Sequence, residues 1–176
     1  SYVAEEVLKR IILRARELLY HGTAIDASAH LLYFISTYHS SVDHIDMDHY
    51  TAIDDVDILS LVKAGVKHSD PVYGLLCNMV LTRRLPKIKV NNEPFSSNFI
   101  EKKKNRAKSK FDISHKNMSY FVFDGVMKNM AYNLDQSPIL LIDKKGNTKE
   151  LLAGSDQSNL KMLTKAVMKY YCCYPN

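Results

Sequence analysis

The pattern of apolar and polar residues predicts a long first helix at residues 2–20. Apolar residues recur there every three or four positions, which places them on one broad helix face. The residues of this face are Val3, Val7, Leu8, Ile11, Ile12, Leu18 and Leu19. Gly22 follows, at a position where glycine can end a helix in the left-handed conformation.

A second, shorter helix is predicted at about residues 26–38, where apolar residues again have helical spacing. Asp26 or Ser28 would cap its first turn by accepting hydrogen bonds from backbone N–H groups. The polar residues 39–50 that follow are predicted to form a loop.

The central stretch, residues 51–90, contains two helices with clear starting residues. Asp54 and Asp55 suit the N-cap and first turn of one helix, and Asp70-Pro71 starts the other. The predicted apolar stripes are Val56, Leu59, Val62 and Val66 in the first, and Val72, Leu75, Leu76, Met79 and Val80 in the second. This pair is predicted to be a buried scaffold and not a reaction centre.

The second helix of this pair is predicted to carry Arg83 and Arg84 in its last turn, where cations complement the helix dipole. A structural role is therefore predicted for both arginines. Pro86 stops the helix, and residues 87–90 have the pattern of a short strand.

The second half of the chain combines short strands with helices. Ser96 or Ser97 is predicted to cap a helix that ends at about Lys110. The predicted strands are residues 120–124, 139–143, 148–152 and 169–174, and a last helix carries Leu160, Leu163, Ala166 and Val167. The second and third strands form a hairpin, because Gly146 between them supplies the positive φ that such turns need.

These elements predict an α+β fold, with a mainly helical N-terminal half and a small antiparallel sheet with helices in the C-terminal half. The composition changes at residues 91–94, which contain two asparagines and a proline. We therefore predict two lobes, a helical lobe at residues 1–90 and an α+β lobe at residues 91–176.

Composition restricts the function only weakly. The 176 residues are 46% hydrophobic and 24% charged, as in ordinary globular proteins, and the net charge of +5 favours anionic partners. Three cysteines do not make a disulfide framework, so we expect a reducing compartment, the cytoplasm. No apolar run approaches the roughly 18–20 residues of a membrane-spanning helix, and no membrane partner is expected.

Histidines and aspartates between residues 39 and 49 raise the hypothesis of a metal site, because imidazole and carboxylate groups bind divalent ions. The cluster consists of His39, Asp43, His44, Asp46, Asp48 and His49. Its spacing matches no ligand pattern on one helix face or hairpin, so an exposed polar loop is the favoured interpretation. His30 is predicted to be a helix surface or core contact.

Nucleophilic catalysis by Cys172 or Cys173 would need a neighbouring base and a lowered thiol pKa. Adjacent residues of a strand face opposite sides, so the two thiols would not act together. A buried structural role is the favoured interpretation for both, and for Cys77 beside the apolar stripe of its helix.

Positive charge is concentrated in residues 102–110, which place six cations within nine residues. The six are Lys102, Lys103, Lys104, Arg106, Lys108 and Lys110. Such a run could bind a phosphate backbone or a nucleotide triphosphate, but a solvated outer helix face is the favoured interpretation. Few aromatic residues interleave it, so a stacking platform for single strands is not indicated.

Several motifs together resemble the region that follows the metal-binding core in HD-superfamily phosphohydrolases of the deoxynucleoside-triphosphate triphosphohydrolase type. In the first half they are Thr51-Ala-Ile-Asp-Asp55, His68-Ser-Asp-Pro71 and Arg83-Arg-Leu-Pro-Lys87. In the second half they are residues 120–123, 131–133, 139–152 and 167–175. The resemblance covers nearly the whole chain and is strongest to bacterial members, in which this segment is called an HD-associated region.

The resemblance implies a mostly helical enzyme that removes triphosphate from deoxynucleotides, with a metal held by a His, a His-Asp pair and an Asp. None of the seven histidines in this chain is followed directly by aspartate, so the chain departs from that motif. We therefore expect a C-terminal fragment that begins at Ser1, has no cofactor of its own and is inactive alone. A divalent metal is expected in the missing N-terminal HD core.

In regulated relatives, basic residues of this region contact activating nucleotides at subunit interfaces. Lys144, Lys145 and Lys149 lie in what resembles the comparable hairpin region, which makes them candidate nucleotide-binding residues. The expected partners are the protein's own HD core, further copies in a homo-oligomer, and a nucleotide effector.

Two functions of different classes follow. In the first, the chain supports the active site, the oligomer or the nucleotide control of an HD phosphohydrolase. In the second, which is not favoured, it is an independent interaction or nucleic-acid-binding module that uses the basic residues 102–110.

Overall fold

A computed structural model describes residues 2–37, 41, 44–129, 140–150 and 167–176. The helices in these ranges are α1 (Tyr2–Tyr20), α2 (Ala29–Ser36), α3 (Met47–Ala52), α4 (Asp55–Gly65), α5 (Pro71–Leu81) and α6 (Ser97–Lys108). A short 3₁₀ helix, His115–Tyr120, follows α6. Within the described ranges, no helix combines the length and the apolar character needed to cross a membrane.

The strands in the same ranges form two sheets. They are β1 (Lys87–Asn91), β2 (Phe123–Asn129), β3 (Leu140–Ile142), β4 (Thr148–Glu150) and β5 (Val167–Tyr174). The three-stranded sheet has the order β1–β5–β2, and β3 pairs with β4 in an antiparallel hairpin with Leu141 opposite Lys149. The predicted α+β fold class and the predicted hairpin are confirmed.

Side-chain caps explain where most of the helices start. The N-cap residues are Ser28 for α2, Asp46 for α3, Asp54 for α4, Asp70 for α5 and Ser96 for α6. Each accepts a hydrogen bond from a backbone N–H of the first turn, which would otherwise lack a partner inside the helix. In α4 the cap is reciprocal, because the Asp54 N–H donates to Asp57 Oδ2 at 2.9 Å.

Two compact units divide the chain. The first consists of Ser1–Lys89, Ser96–Phe123 and Cys172–Asn176, and the second of Val90–Phe95 and Asp124–Tyr171. Each unit combines segments that lie far apart in the sequence. The division into lobes at residues 1–90 and 91–176 stays a prediction.

The core of the first unit lies where α1, α4 and α5 meet. Helix α1 packs on α2 and α5, and α4 packs on α5. The largest fully buried side chains include Val7, Ile11, Ile35, Leu61, Tyr73, Leu76 and Phe121. Helices α4 and α5 approach closely at Gly65, where an added Cβ would lie only 2.4 Å from the Cys77 Sγ atom. The missing side chain at this position is what allows the approach.

The predicted apolar stripe of α4 is wrong in part. Val56 and Leu59 are 68% and 48% exposed, whereas Leu61, Val62 and Gly65 are buried. Gly65 fixes the buried face because α5 approaches there. At about 100° per residue, Val56 lies about 180° from Gly65 around the helix axis and therefore faces away from α5.

The end of α5 also differs from the prediction. The helix ends at Leu81, so Arg83 and Arg84 lie beyond its last turn. Arg83 has a φ of 57°, and among the described residues no other non-glycine residue has a positive φ. A side chain in this left-handed region is sterically unfavourable, so the turn after α5 holds Arg83 in a strained backbone.

Three further boundaries differ. The predicted loop 39–50 contains the start of α3, because the Asp46 side chain accepts from the Asp48 N–H and caps a first turn. Strand β2 begins at Phe123 and not at residue 120, which belongs to the 3₁₀ helix. Strand β5 begins at Val167, a residue that the sequence predicts in the last helix. The other residues of that helix, 160–166, lie outside the described residues.

Candidate functional site

Basic residues from two separate segments line one pocket of the first unit. Lys103 and Arg106 lie on α6, and Lys110 follows its end, so that spacings of three and four bring them to one side of the helix. Lys87, the first residue of β1, joins them. The pocket has a volume of about 80 Å³, and the rest of its lining is Ala107, Tyr174, Pro175 and Asn176.

A second pocket, of about 480 Å³, shares Lys110, Pro175 and Asn176 with the first. Its lining adds Arg83 and Arg84, with the apolar side chains Leu75, Met79, Leu85 and Phe111. We call the two pockets together the cationic cleft, with the cations Arg83, Arg84, Lys87, Lys103, Arg106 and Lys110. The lining residues of both pockets include no aspartate or glutamate, and the Lys110 ammonium group donates a hydrogen bond to the main-chain oxygen of Asn176.

Aromatic rings hold one ammonium group of the cleft. Lys103 Nζ lies 3.7 Å from the centroid of the Tyr174 ring and 5.3 Å from that of the Phe99 ring. A cation over a ring face gains roughly 0.5–1 kcal/mol at partly exposed sites. This attraction orients the ammonium group without neutralising its charge, so Lys103 can still pair with an anion.

The chemistry of the cleft suits a phosphate-bearing ligand with a ring. Arg83, Arg84 and Arg106 each carry a planar fork of N–H donors that matches phosphate oxygens, and the lysines add point charges. The larger pocket adds apolar surface, including Phe111, on which a flat ring can pack. A nucleotide combines these two chemical parts, a polyphosphate and a flat base.

Helical spacing divides the predicted basic run between different sides of α6. Three of its residues line the cleft, namely Lys103, Arg106 and Lys110. Lys104 forms an ion pair with Glu101, with Nζ and Oε1 3.1 Å apart. Lys102 and Lys108 are exposed and line neither pocket. Phosphate binding by residues 102–110 stays a prediction, and three of the six cations in this run line the cleft.

Sequence reasoning missed Arg83, Arg84 and Lys87 as candidate site residues. It assigned the arginines to a helix end and Lys87 to a strand. The available clue was the density of cations around the helix stop at Pro86, three within residues 83–87. Only the packing of the chain brings these cations to the same cleft as those of α6.

The hairpin lysines lie elsewhere, in the second unit. Lys144 and Lys145 occupy the turn between β3 and β4, Lys149 lies on β4, and all three are exposed. Asp143 organises this turn, because its carboxylate accepts from the Lys145 N–H at 2.8 Å and from the Asn147 N–H at 2.9 Å. Hydrogen bonds from Asn147, from its side chain first and its backbone next, lower the pKa of Asp143. Nucleotide binding by the three lysines stays a prediction.

The surroundings of the cysteines are those of buried structural residues. Cys77, Cys172 and Cys173 are buried, and no disulfide joins them. Burial raises the pKa of Cys77 and of Cys173 to about 12, so these thiols stay protonated at neutral pH. The thiolate, which is the reactive form, is therefore suppressed at both positions.

The described part of the predicted metal cluster is dispersed. Asp46 caps α3, and the His44 backbone oxygen lies 3.4 Å from the Tyr33 hydroxyl. His49 contacts His30 of α2. Across the described ranges, no group of three or more His, Cys, Asp or Glu residues is arranged to hold a metal ion. His39 and Asp43 lie outside the described residues.

Comparison with known proteins identifies a similar solved structure. A phosphohydrolase from Bacteroides thetaiotaomicron VPI-5482 matches 99% of this chain with a TM-score of 0.81 and 27% sequence identity. The chain covers 44% of the length of that protein. No protein-family model matches the sequence, and no curated protein is similar enough to match. The chain therefore has a phosphohydrolase-like fold and spans less than half of the enzyme that it resembles.

Proposed function

We propose that this chain is the C-terminal, HD-associated part of an HD phosphohydrolase that acts on (deoxy)nucleotides. Its role there is structural, oligomeric or regulatory, and the reaction takes place elsewhere in the protein. The observation that supports this proposal is the 99% coverage of this chain by a phosphohydrolase of which it spans only 44%. The proposed nucleotide substrate is based on the sequence motifs that resemble those of the deoxynucleoside-triphosphate triphosphohydrolases.

The divalent metal of such an enzyme belongs, in this proposal, to the HD core that precedes the present segment. The chain contains no His-Asp pair, and its described residues offer no group of three or more metal ligands. These residues therefore do not fit the metal of the HD reaction, and we assign no hydrolytic step to them.

The absence of turnover is the first expected result. The purified chain, incubated with the four deoxynucleoside triphosphates and Mg²⁺ or Mn²⁺, should release no phosphate, pyrophosphate or triphosphate, because the sequence has no His-Asp pair and the described residues have no ligand group that could hold a metal and its activated water. Product release is measured by chromatography. Activity that co-elutes with the chain on gel filtration and scales with its concentration would contradict a non-catalytic role.

Nucleotide binding in the cationic cleft is the regulatory part of the proposal. Replacing Lys103 and Arg106 together with alanine should weaken the binding of a deoxynucleoside triphosphate by about 10–100-fold, because two charge-assisted contacts to phosphate are lost. The matched control replaces Lys102 and Lys108 with alanine. This double substitution removes the same charge from the same helix, but neither residue lines a pocket of the cleft. Isothermal titration calorimetry measures both affinities, and tripolyphosphate as a second ligand separates phosphate recognition from base recognition.

The same variants test the alternative, a nucleic-acid-binding module. A phosphate backbone that lies along residues 102–110 would contact the exposed cations as well, so the Lys102/Lys108 variant should then lose as much affinity as the Lys103/Arg106 variant. Equal losses for single-stranded RNA or DNA, without any nucleotide binding, would favour the alternative. A variant with alanine at Lys144, Lys145 and Lys149 tests the hairpin residues separately.

A further inference from the structure

Two histidines from different helices meet at the surface of the first unit. The Nδ1 atoms of His30 in α2 and His49 in α3 lie 3.1 Å apart, and their rings are tilted by 63°. Both side chains are half-buried. The function proposed above does not involve this contact.

The contact joins α2 to α3, a short helix at the surface. None of the six residues of α3 is buried. Tyr33 of α2 stacks on the His49 ring at a centroid distance of 4.2 Å, and its hydroxyl accepts from the Asp46 N–H at 3.0 Å. The histidine pair and Tyr33 therefore hold the short helix against α2. A bond that joins the two imidazoles would therefore fix the position of α3 relative to α2.

The spacing of the two nitrogen atoms suits a metal ion as well as a shared proton. A neutral imidazole has one N–H and one lone pair. When the donor ring moves its proton from Nδ1 to Nε2, both rings stay neutral and both Nδ1 lone pairs can bind a metal. With metal–nitrogen bonds of about 2.0–2.1 Å, nitrogens 3.1 Å apart enclose an angle of about 98°. This angle lies between the roughly 90° of octahedral and the roughly 109° of tetrahedral coordination.

We propose that His30 and His49 form a two-histidine site for a borderline divalent transition metal such as Zn²⁺ or Ni²⁺. Imidazole suits these ions, whereas Mg²⁺ and Ca²⁺ prefer oxygen ligands. Water completes the coordination, because the described residues provide no third His, Cys, Asp or Glu ligand at this position. The bound ion fixes α3 to α2 and is separate from any metal that catalyses phosphate hydrolysis.

Metal titration of the tag-free chain tests this site. Zn²⁺ or Ni²⁺ at about tenfold excess over its Kd should raise Tm by about 3–6 °C, because an ion that binds only the folded state stabilises it. Mg²⁺ should have no such effect. In NMR spectra, paramagnetic Ni²⁺ should broaden the ring signals of His30 and His49 but not those of His68, whose ring nitrogens already contact the Asp70 N–H and the Ala24 oxygen.

Single substitutions locate the effect. His30→Ala and His49→Ala should each abolish the rise in Tm. His44→Ala should retain it, because the backbone oxygen of His44, which the Tyr33 hydroxyl contacts at 3.4 Å, is kept in this variant. A rise that persists in either of the first two variants would overturn the proposal, as would its absence in the unaltered chain. If a variant does not fold, the Ni²⁺ broadening in the unaltered chain decides. Broadening confined to the ring signals of His30 and His49 supports the two-histidine site, and broadening of other ring signals instead contradicts it.

Discussion

Replacing Gly65 with alanine is expected to destabilise the protein by about 2–3 kcal/mol. The new Cβ would lie 2.4 Å from Cys77 Sγ and 2.9 Å from Tyr73 Cε1, inside a packed helix contact. Both neighbours are fully buried and cannot move away without displacing further core atoms. The roughly 1 kcal/mol that alanine gains over glycine in a helix does not offset this overlap. Urea unfolding followed by circular dichroism measures the change.

Gly74→Ala is the matched control for this substitution. Gly74 lies in α5, but the nearest atoms to its added Cβ are carbonyl oxygens at 3.5 Å, an ordinary contact distance. This variant should be neutral or up to about 1 kcal/mol more stable. Adding Cys77→Ala to the Gly65 variant should restore part of its stability, because the sulfur atom is removed. A Gly65→Ala protein as stable as the wild type would contradict the close approach of α4 and α5.

Replacing Asp70 with alanine is expected to cost about 2–4 kcal/mol, because one carboxylate has two roles. Its Oδ1 accepts from the Tyr73 N–H at 2.8 Å and thereby caps α5. Both oxygens also accept from the Arg14 guanidinium, at 3.1 Å from Nε and 2.6 Å from Nη2. The two side chains are only 13% and 16% exposed, so the substitution leaves a partly buried guanidinium without this partner. Thermal and urea unfolding measure the loss.

Acid should remove the same stabilisation. Burial disfavours the charged form of Asp70, but the hydrogen bonds from Arg14 and the Tyr73 N–H outweigh it and hold the pKa below its ordinary value of 3.8. The stability that ionised Asp70 contributes is therefore fully present above pH 3.8, the ordinary pKa. It is lost as the pH falls through the lower pKa of the folded state. The stability difference between wild type and Asp70→Ala should be constant near neutral pH and should shrink below about pH 4. The Asp70→Asn variant keeps a capping oxygen without the charge, so its stability should lie between that of the wild type and that of Asp70→Ala. If Asp70→Asn is no more stable than Asp70→Ala, the cap makes no separate contribution to stability.

The sequence predicts the parts of this fold that depend on neighbouring residues. Asp54 and Asp70 start helices because a carboxylate satisfies N–H groups two or three positions ahead, and that geometry needs no tertiary structure. The same holds for Gly22 and Gly146, with φ of 79° and 83°, whose conformations are set by a helix end and a hairpin turn.

The parts that depend on distant residues could not be predicted. Val56 has perfect helical spacing yet is exposed, because the buried face of α4 is chosen by Gly65 and the side chains of α5. Lys87 and Lys103 are sixteen positions apart in sequence and line one pocket only after β1 and α6 have packed. The contact between His30 and His49 likewise needs α3, a helix that the polar composition of its segment conceals.

Arg83 combines a strained backbone with a side chain that lines the cationic cleft, the site of our nucleotide-binding proposal. Glycine at this position would relax the left-handed turn, but it would also delete one guanidinium from the cationic cleft. If the cleft binds phosphate as proposed, selection for thermostability alone would favour a more stable protein with weaker phosphate binding. Engineering for higher thermal stability should therefore keep Arg83 and introduce stabilising substitutions at other positions.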